Sequence, residues 1–388
     1  MKILSVHNQY QIRGGEDESR ESEERLLREH GHCVNTYEDT NDRIPSLSSV
    51  ALASKTIWST ETYKAVSHRL KQEQPDIVHV QNFFPLISPS VHYAALHQHV
   101  PVIQTLRNYR LLCPNALFFR NGQVCEDCMG QWIPYPGIVH RCYKENTAAS
   151  AMTTLMISVH RFLKTWEKTV SCYIALTEFA RNKFIQGGLP ADKIFVKPNF
   201  VHPDPGPGSG SGDYALYVGR LSVEKGLDTL LEAWRLLKHP IELKIVGDGP
   251  LADQVKQATM TTDNITWLGK RSIHEVHDLM GEAKFLVFPS KWYETFGRVA
   301  VEAFAKGTPV IAANIGAIAE LVTDYHTGRL FNPGDANDLA DKVDWLIRNH
   351  KTSQIMGLTA RQEFEAKFTA SANYKRMLQI YNVALGVQ

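Results

Sequence analysis

Residues 289–309 carry the densest chemistry in the chain: Pro289-Ser290-Lys291-Trp292-Tyr293-Glu294-Thr295-Phe296-Gly297-Arg298-Val299-Ala300-Val301-Glu302-Ala303-Phe304-Ala305-Lys306-Gly307-Thr308-Pro309. A strand ending at Phe288, a loop carrying Glu294 and a helix starting near Thr295 to Gly297 would set the two glutamates up to ~12 Å apart on roughly one side. That spacing suits the two ends of an extended ligand better than a carboxylate pair flanking one bond. Backbone N–H groups around Thr295 to Val299, Phe296 and Gly297 among them, could meet a phosphate between the glutamates. From spacing alone, two surface glutamates on an ordinary helix remain the alternative. A second segment, Gly219-Arg220-Leu221-Ser222-Val223-Glu224-Lys225-Gly226, puts two cations and two glycines in a strand-to-helix turn. Helix-start amides, the helix dipole and the Arg220 fork suit an anion there. A solvated Arg/Lys pair beside a glycine cap fits these residues equally well, and the tight turn Gly247-Asp248-Gly249-Pro250 is a weak signal by itself.

Six cysteines form a third group: Cys113, Cys125, Cys128 and Cys142 crowd one window, and Cys33 and Cys172 lie outside it. The Cys-x2-Cys core with two flanking thiols points to a tetrahedral zinc site or an iron–sulfur cluster serving as a structural staple. The outer gaps fit no standard finger, and unpaired buried thiols are the competing reading. Cys33 and Cys172 read as ordinary core residues.

These residues need elements to hold them. Lys2 to Val6, a loop with Gly14-Gly15 and the charged stretch Glu16 to Gly31 read as strand, glycine turn and helix. The apolar-strand pattern returns at Asp76 to Val80, Val100 to Thr105 and Cys172 to Leu176, and after residue 213 at Tyr214 to Val218, Leu243 to Val246, Ile265 to Leu268, Phe285 to Phe288 and Val310 to Ala312. Strands alternating with helices predict α/β architecture: two similar doubly wound parallel-sheet domains, with ligands beyond the carboxyl ends of the strands, in a cleft between the domains. The expected organisation is a first domain at 1–201 with a cysteine-rich insertion at 113–142, a linker at 202–213 without any large apolar side chain, and a second domain at 214–368. An amphipathic helix at 369–388 completes the first domain.

The combination of Val218-Gly219-Arg220 to Lys225-Gly226, Gly247-Asp248-Gly249-Pro250, Phe288-Pro289-Ser290, Glu294 to Glu302 and Gly307-Thr308-Pro309-Val310-Ile311-Ala312 resembles the family 4 retaining glycosyltransferases of the GT-B fold. The likeness reaches the first half through Gly14-Gly15, Asp76 to Val80 and Lys197-Pro198-Asn199, and its cysteines resemble those of one subgroup. The resemblance implies that Arg220 and Lys225 bind the diphosphate of a nucleotide-sugar and stabilise the departing nucleoside diphosphate. It implies that Glu302 holds ribose hydroxyls and Glu294 the donor sugar. Backbone at Phe296, Gly297 and Val299, and at Gly14 and Gly15 on domain closure, would contact phosphate, with no catalytic metal. It implies front-face attack by an acceptor hydroxyl with retention of configuration, in agreement with the lack of an obvious nucleophile–base pair. UDP is favoured over GDP from the breadth of UDP-sugar use among similar enzymes. The acceptor would be a glycan or a lipid-linked glycan, in cell-surface polysaccharide or glycolipid synthesis.

Two places depart from the family pattern: His79-Val80-Gln81-Asn82, and Thr105-Leu106-Arg107-Asn108, where a histidine is usual in place of Arg107. Arginine keeps a cation near phosphate but cannot exchange a proton near neutral pH. The departure predicts tight nucleotide binding with slow transfer, and it motivates the alternative of a catalytically silent sugar-nucleotide-binding protein. Phosphorylases of the same fold are disfavoured because no lysine segment suits pyridoxal phosphate. A dinucleotide-dependent dehydrogenase is disfavoured because no Gly-x-Gly-x-x-Gly follows either first strand.

Composition sets the outer bounds. With 388 residues, 43% hydrophobic and 21% charged, the chain is globular and large enough for two domains. Forty-two Lys and Arg against 41 Asp and Glu leave +1, so nucleic acid is not an expected partner. The absence of a long apolar run or signal-like start predicts a cytoplasmic protein. Ala148 to Trp166, apolar with a basic end, fits either a core helix or an interfacial helix at the inner membrane face, and the core reading is favoured.

Overall fold

The computed structural model describes residues 1–12 and 14–387. Among the described residues fourteen strands run in chain order: β1 (Lys2–Gln9), β2 (Cys33–Thr40), β3 (Ile77–Asn82), β4 (Val102–Leu106), β5 (Phe119–Arg120), β6 (Gln123–Val124), β7 (Cys172–Ala175), β8 (Ile194–Val196), β9 (Tyr214–Val218), β10 (Glu242–Val246), β11 (Ile265–Gly269), β12 (Phe285–Phe288), β13 (Val310–Ala313) and β14 (Gly328–Phe331). Twelve of them make two six-stranded sheets, ordered β2-β1-β3-β4-β7-β8 and β11-β10-β9-β12-β13-β14, and every pairing within them is parallel. The pair β5–β6 is a short antiparallel hairpin.

The chain divides into two compact units. The first contains residues 1–118, 125–198 and 373–388, and the second residues 119–124 and 199–372. In the first unit, Ile3, Ile77, Ile103 and Ile174 from neighbouring strands pack with Met377, Ile380 and Tyr381 of the C-terminal helix Ala370–Leu385. In the second, Leu243, Ile245, Val287 and Ile311 pack against Leu230 and Trp234. Central strands such as β12 and β13 are buried along their whole length, which is why they read as unbroken apolar runs.

The segment 202–213, expected to be a linker, forms no helix or strand but is fastened along the second unit. Gly208 N–H donates to Lys306 O, Gly210 N–H to Gly281 O and Gly212 N–H to Glu282 O, each at 2.8 Å. Its glycines are what let the backbone lie so close, since a Cβ on Gly208 would fall 2.1 Å from Gly281 Cα.

Candidate functional site

In the second sheet, the strand order reverses between β9 and β12, and in open α/β sheets ligands bind outside the carboxyl ends at such a switch point. The loops leaving those two strands are Gly219–Gly226 and Pro289–Gly297. Their register is fixed by glycines: Gly226 has φ +71°, and a Cβ there would lie 1.9 Å from Pro289 O. Lys291 N–H closes the pair of loops by donating to Glu224 O at 2.9 Å.

This apposition brings Lys225 to Glu294 across 69 residues of sequence. Lys225 Nζ lies 2.6 Å from Glu294 Oε1, which also accepts from Ser290 Oγ at 3.0 Å and Trp292 Nε1 at 2.9 Å. The ammonium stands 5.2 Å from the Trp292 ring centre. Glu294 is nearly buried, Lys225 half-buried and Arg220 exposed. Arg220 is held by its backbone, its carbonyl accepting from Tyr217 Oη at 3.0 Å.

The helix Arg298–Ala305 starts at Gly297, whose φ of +124° makes the sharp entry and which offers no side-chain cap. Phe296 and Val299 stand on either side of this cap. Glu302 lies one turn in, 4% exposed, and accepts from Arg298 Nε at 2.9 Å. Sequence spacing missed Ser290, Trp292 and Arg298 as direct partners of the two glutamates, although all three stand within the segment singled out.

The first unit carries a different electrostatic centre. Arg107 follows β4 directly, and its side chain is 2% exposed. Its Nη2 lies 3.0 Å from Glu23 Oε2, and its Nε and Nη2 donate to Gln81 Oε1 at 3.0 and 2.6 Å. The other Glu23 oxygen accepts from Lys197 Nζ at 2.7 Å, and Gln81 Nε2 donates to Glu23 Oε2 at 2.9 Å. Burial opposes ionisation of Glu23, but Lys197 and Arg107 together hold its carboxyl well below the usual range. Burial pulls the Lys197 ammonium downward against the same carboxylate. His79 closes the cluster through Tyr381 Oη at 2.7 Å and Thr105 Oγ1 at 2.8 Å, and burial takes it down to about 4. Arg107 is thus a clamped internal cation. Glu23 escaped sequence reasoning because it is one of six carboxylates, with Glu16, Asp17, Glu18, Glu21 and Glu24, in the first ten residues of the helix, and nothing in the local pattern sets it apart.

Gly14 caps that helix, Gly15–Glu29, and donates its N–H to Asp17 Oδ2 at 2.9 Å. Burial opposes ionisation of Asp17, yet the His7 contact at 2.7 Å and the Gly14 amide keep its carboxyl low. A Cβ at Gly14 or Gly15 would meet nothing within 4 Å, so packing inside the chain does not require glycine at either place.

Cys113, Cys125, Cys128 and Cys142, the expected metal ligands, stand near one another. The four are near enough that Cys128 feels the other three, yet among the described residues no group of three or more His, Cys, Asp or Glu side chains could hold a metal ion. Two of the sulfurs have polar neighbours of their own: Cys113 Sγ donates to Asn115 Oδ1 at 3.0 Å, and Cys128 Sγ lies 3.8 Å from Pro134 O. Burial pushes the Cys113 thiol up and takes Cys128 up to about 12, which keeps both protonated. Cys172 is buried, but Cys33 is exposed at the start of edge strand β2.

The fold is that of the GT-B glycosyltransferases. HepE of Anabaena, solved with UDP, superposes with a TM-score of 0.69 at 20% identity, covering 98% of this chain and 99% of that one. Sucrose-phosphate synthase from Thermosynechococcus elongatus gives 0.72 at 17% identity, with 98% of each chain covered. Residues 207–363 match the family model of glycosyl transferases group 1, so the matched stretch contains both switch-point loops. An uncharacterised glycosyltransferase of Methanocaldococcus jannaschii is 35% identical over 162 residues, 41% of this chain and 45% of that protein. The sulfoquinovosyl transferase of Arabidopsis thaliana is 31% identical over 173 residues, 44% of this chain and 33% of that protein. The chain therefore spans less than half the length of these two curated relatives.

Proposed function

We propose that the protein is a retaining glycosyltransferase that moves a sugar from a nucleotide-diphosphate donor, UDP-linked in preference to GDP-linked, to a hydroxyl of a glycan or lipid-linked acceptor. The observation that carries this reading is the Lys225–Glu294 contact at the switch point, inside the stretch matched to group 1 glycosyl transferases. Lys225 and Arg220 hold the diphosphate, and backbone at Phe296, Gly297 and Val299 adds uncharged donors. Glu302 receives ribose hydroxyls and Glu294 a donor-sugar hydroxyl. On the first unit, the open backbone at Gly14 and Gly15 admits a phosphate, which at Gly14 displaces the bond to Asp17. The acceptor oxygen bonds to the anomeric carbon as the bond to the diphosphate oxygen breaks, and that oxygen takes the acceptor's proton. Charge grows on the leaving diphosphate, so the fixed cations stabilise the transition state more than the ground state. The UDP carried by the HepE structure is consistent with the donor preference.

Thermal stabilisation by UDP, GDP and ADP tests the base, because a ligand that binds only the folded chain raises its stability. Turnover of a donor panel in the presence of a chelator, followed by NMR of the product anomer, tests the chemistry. Stabilisation by UDP without turnover of any donor would favour the second reading, a silent sugar-nucleotide-binding protein. That reading is motivated by Arg107, which stands where a proton-exchanging histidine is usual and is committed to Glu23 and Gln81.

A further inference from the structure

A cavity of about 200 Å³ lies in the first unit. Its walls include Trp166 and Glu167, which precede β7, and Gly187, Gly188 and Leu189, which precede β8. These residues approach the amino ends of their strands, whereas Arg107 leaves the carboxyl end of β4 and Gly14 follows the carboxyl end of β1. The walls are pinned to one another. Arg161, in the last turn of the helix Thr147–Phe162, donates from Nη1 to Gln131 O and from Nη2 to Leu111 O at 3.1 Å. Lys193 Nζ holds the turn beyond that helix through Glu167 O at 2.7 Å and Val170 O at 2.8 Å. Gly187 lets Leu112 come close, since a Cβ there would fall 2.2 Å from Leu112 Cδ2.

The lining supplies donors that the chain does not use up. Burial pulls the Arg161 guanidinium down, and what acts against burial is the Cys128 thiol and not a carboxylate. Its hydrogen bonds to two carbonyls satisfy N–H groups but leave the charge uncompensated. Lys164 adds a second cation, exposed at the rim, and among the described residues it pairs with no acid. Trp166 is 4% exposed and stacks on Phe83 with ring centres 5.6 Å apart, yet its indole N–H has no hydrogen-bond partner among the described residues. Buried donors are nearly always paired, so one in the wall of a cavity points to an acceptor from outside. Together these groups suit an anion.

The rest of the lining asks for more than a bare anion. Glu167, the one carboxylate of the lining, is exposed and, when ionised, only accepts hydrogen bonds, so it repels an unadorned anion and receives hydroxyls. Beside it Gln131 offers an amide, and Trp132, 73% exposed, offers an aromatic face at the mouth.

We infer that this cavity binds an anionic monosaccharide unit, with its phosphate or carboxylate against Arg161, Lys164 and the Trp166 N–H, its hydroxyls against Glu167 and Gln131, and its C–H face on Trp132. The volume agrees, being below the about 300–1,000 Å³ of sites for drug-sized ligands. A nucleotide-sugar is too large for it. The site belongs to the first unit and the switch-point loops to the second, so the inference goes beyond sugar transfer and needs no donor for its test.

The full chain is titrated calorimetrically with glucose 6-phosphate, glucuronate, glucose and inorganic phosphate. At least one of the two anionic sugars is expected to bind about ten-fold more tightly than glucose and than inorganic phosphate, and the tighter of the two identifies the anionic group. Lys164→Glu is expected to weaken that binding about ten-fold and Trp132→Ser about five-fold. Both residues are exposed, and unaltered thermal midpoints show that the variants fold. Lys225→Gln, at the switch point of the second unit, is expected to leave the titration unchanged. The inference is overturned if neither anionic sugar binds at millimolar concentration, or if glucose or inorganic phosphate binds as tightly. It is also overturned if the Lys164 and Trp132 variants bind like the parent, or if Lys225→Gln abolishes the binding, which would assign it to the second unit.

Discussion

Replacing Glu23 with glutamine removes the carboxylate that two buried cations share. Lys197 is 0% and Arg107 2% exposed on the side chain, and each loses its contact with that carboxylate. Glutamine fills the same volume, so the cost is electrostatic and not a cavity. Breaking a buried pair by removing one partner costs about 3–5 kcal/mol, because it leaves uncompensated buried charge. For a unit of this size that corresponds to a fall in thermal midpoint on the order of 10 °C. The assay is urea unfolding of the full chain at neutral pH, followed by the same measurement on Glu23→Gln with Lys197→Met. The second change removes one stranded cation, so the double variant should be more stable than the single one. A single variant within about 1 kcal/mol of the parent would refute the clamp, since surface pairs alone have effects that small. So would a double variant whose loss is the sum of the two single losses, because the cluster would then carry no coupling.

Acid should weaken the fold earlier than the carboxylates require. Burial lowers His79 and His92 to about 4, so the unfolded chain binds more protons as pH falls below about 6.5, and each histidine subtracts about 2 kcal/mol by pH ~5. A thermal midpoint flat across that range, or unchanged in its pH slope by His79→Gln, would contradict this. Glu302→Ala should weaken nucleotide affinity about ten- to hundred-fold, the worth of a charge-assisted hydrogen bond, whereas Glu294→Gln should lower turnover with affinity held within a few-fold; calorimetry and donor turnover separate the two. Arg107→His should cost about 2 kcal/mol of stability, because Glu23 then keeps Lys197 alone, and a histidine variant as stable as the parent on urea unfolding would show that the Gln81 and Glu23 contacts carry little.

The interior of each sheet was legible because strands buried on both faces must be apolar throughout, as at Phe285–Phe288 and Val310–Ala313. The edges were not. Cys33–Thr40 is largely polar because one margin of the strand faces solvent, and Gly328–Phe331 is short. The glycine-rich stretch 202–213 has the composition of a linker, yet missing side chains are also what let its amides reach Lys306, Gly281 and Glu282. In the candidate site, residue types and local spacing picked out Glu294, Glu302 and Lys225. The 69-residue link from Lys225 to Glu294, the 84-residue link from Arg107 to Glu23 and the 174-residue link from Lys197 to Glu23 depend on sheet order, which local pattern does not encode.

The two charge centres differ in a way that bears on what each can do. Glu23, Arg107 and Lys197 are sealed from solvent, with the two cations sharing one carboxylate, so any rearrangement strands charge in a poorly polarisable interior; such a cluster fixes the ends of β3 and β4 and the C-terminal helix in one arrangement. Lys225 and Glu294 are 23% and 11% exposed on the side chain, so water already weakens their attraction. An anion can compete there for the Lys225 ammonium at modest cost, while Ser290 and Trp292 continue to satisfy the Glu294 oxygen that Lys225 leaves. The partly open ion pair is thus the one whose partners can be exchanged, and the closed one holds the elements of its own unit in place.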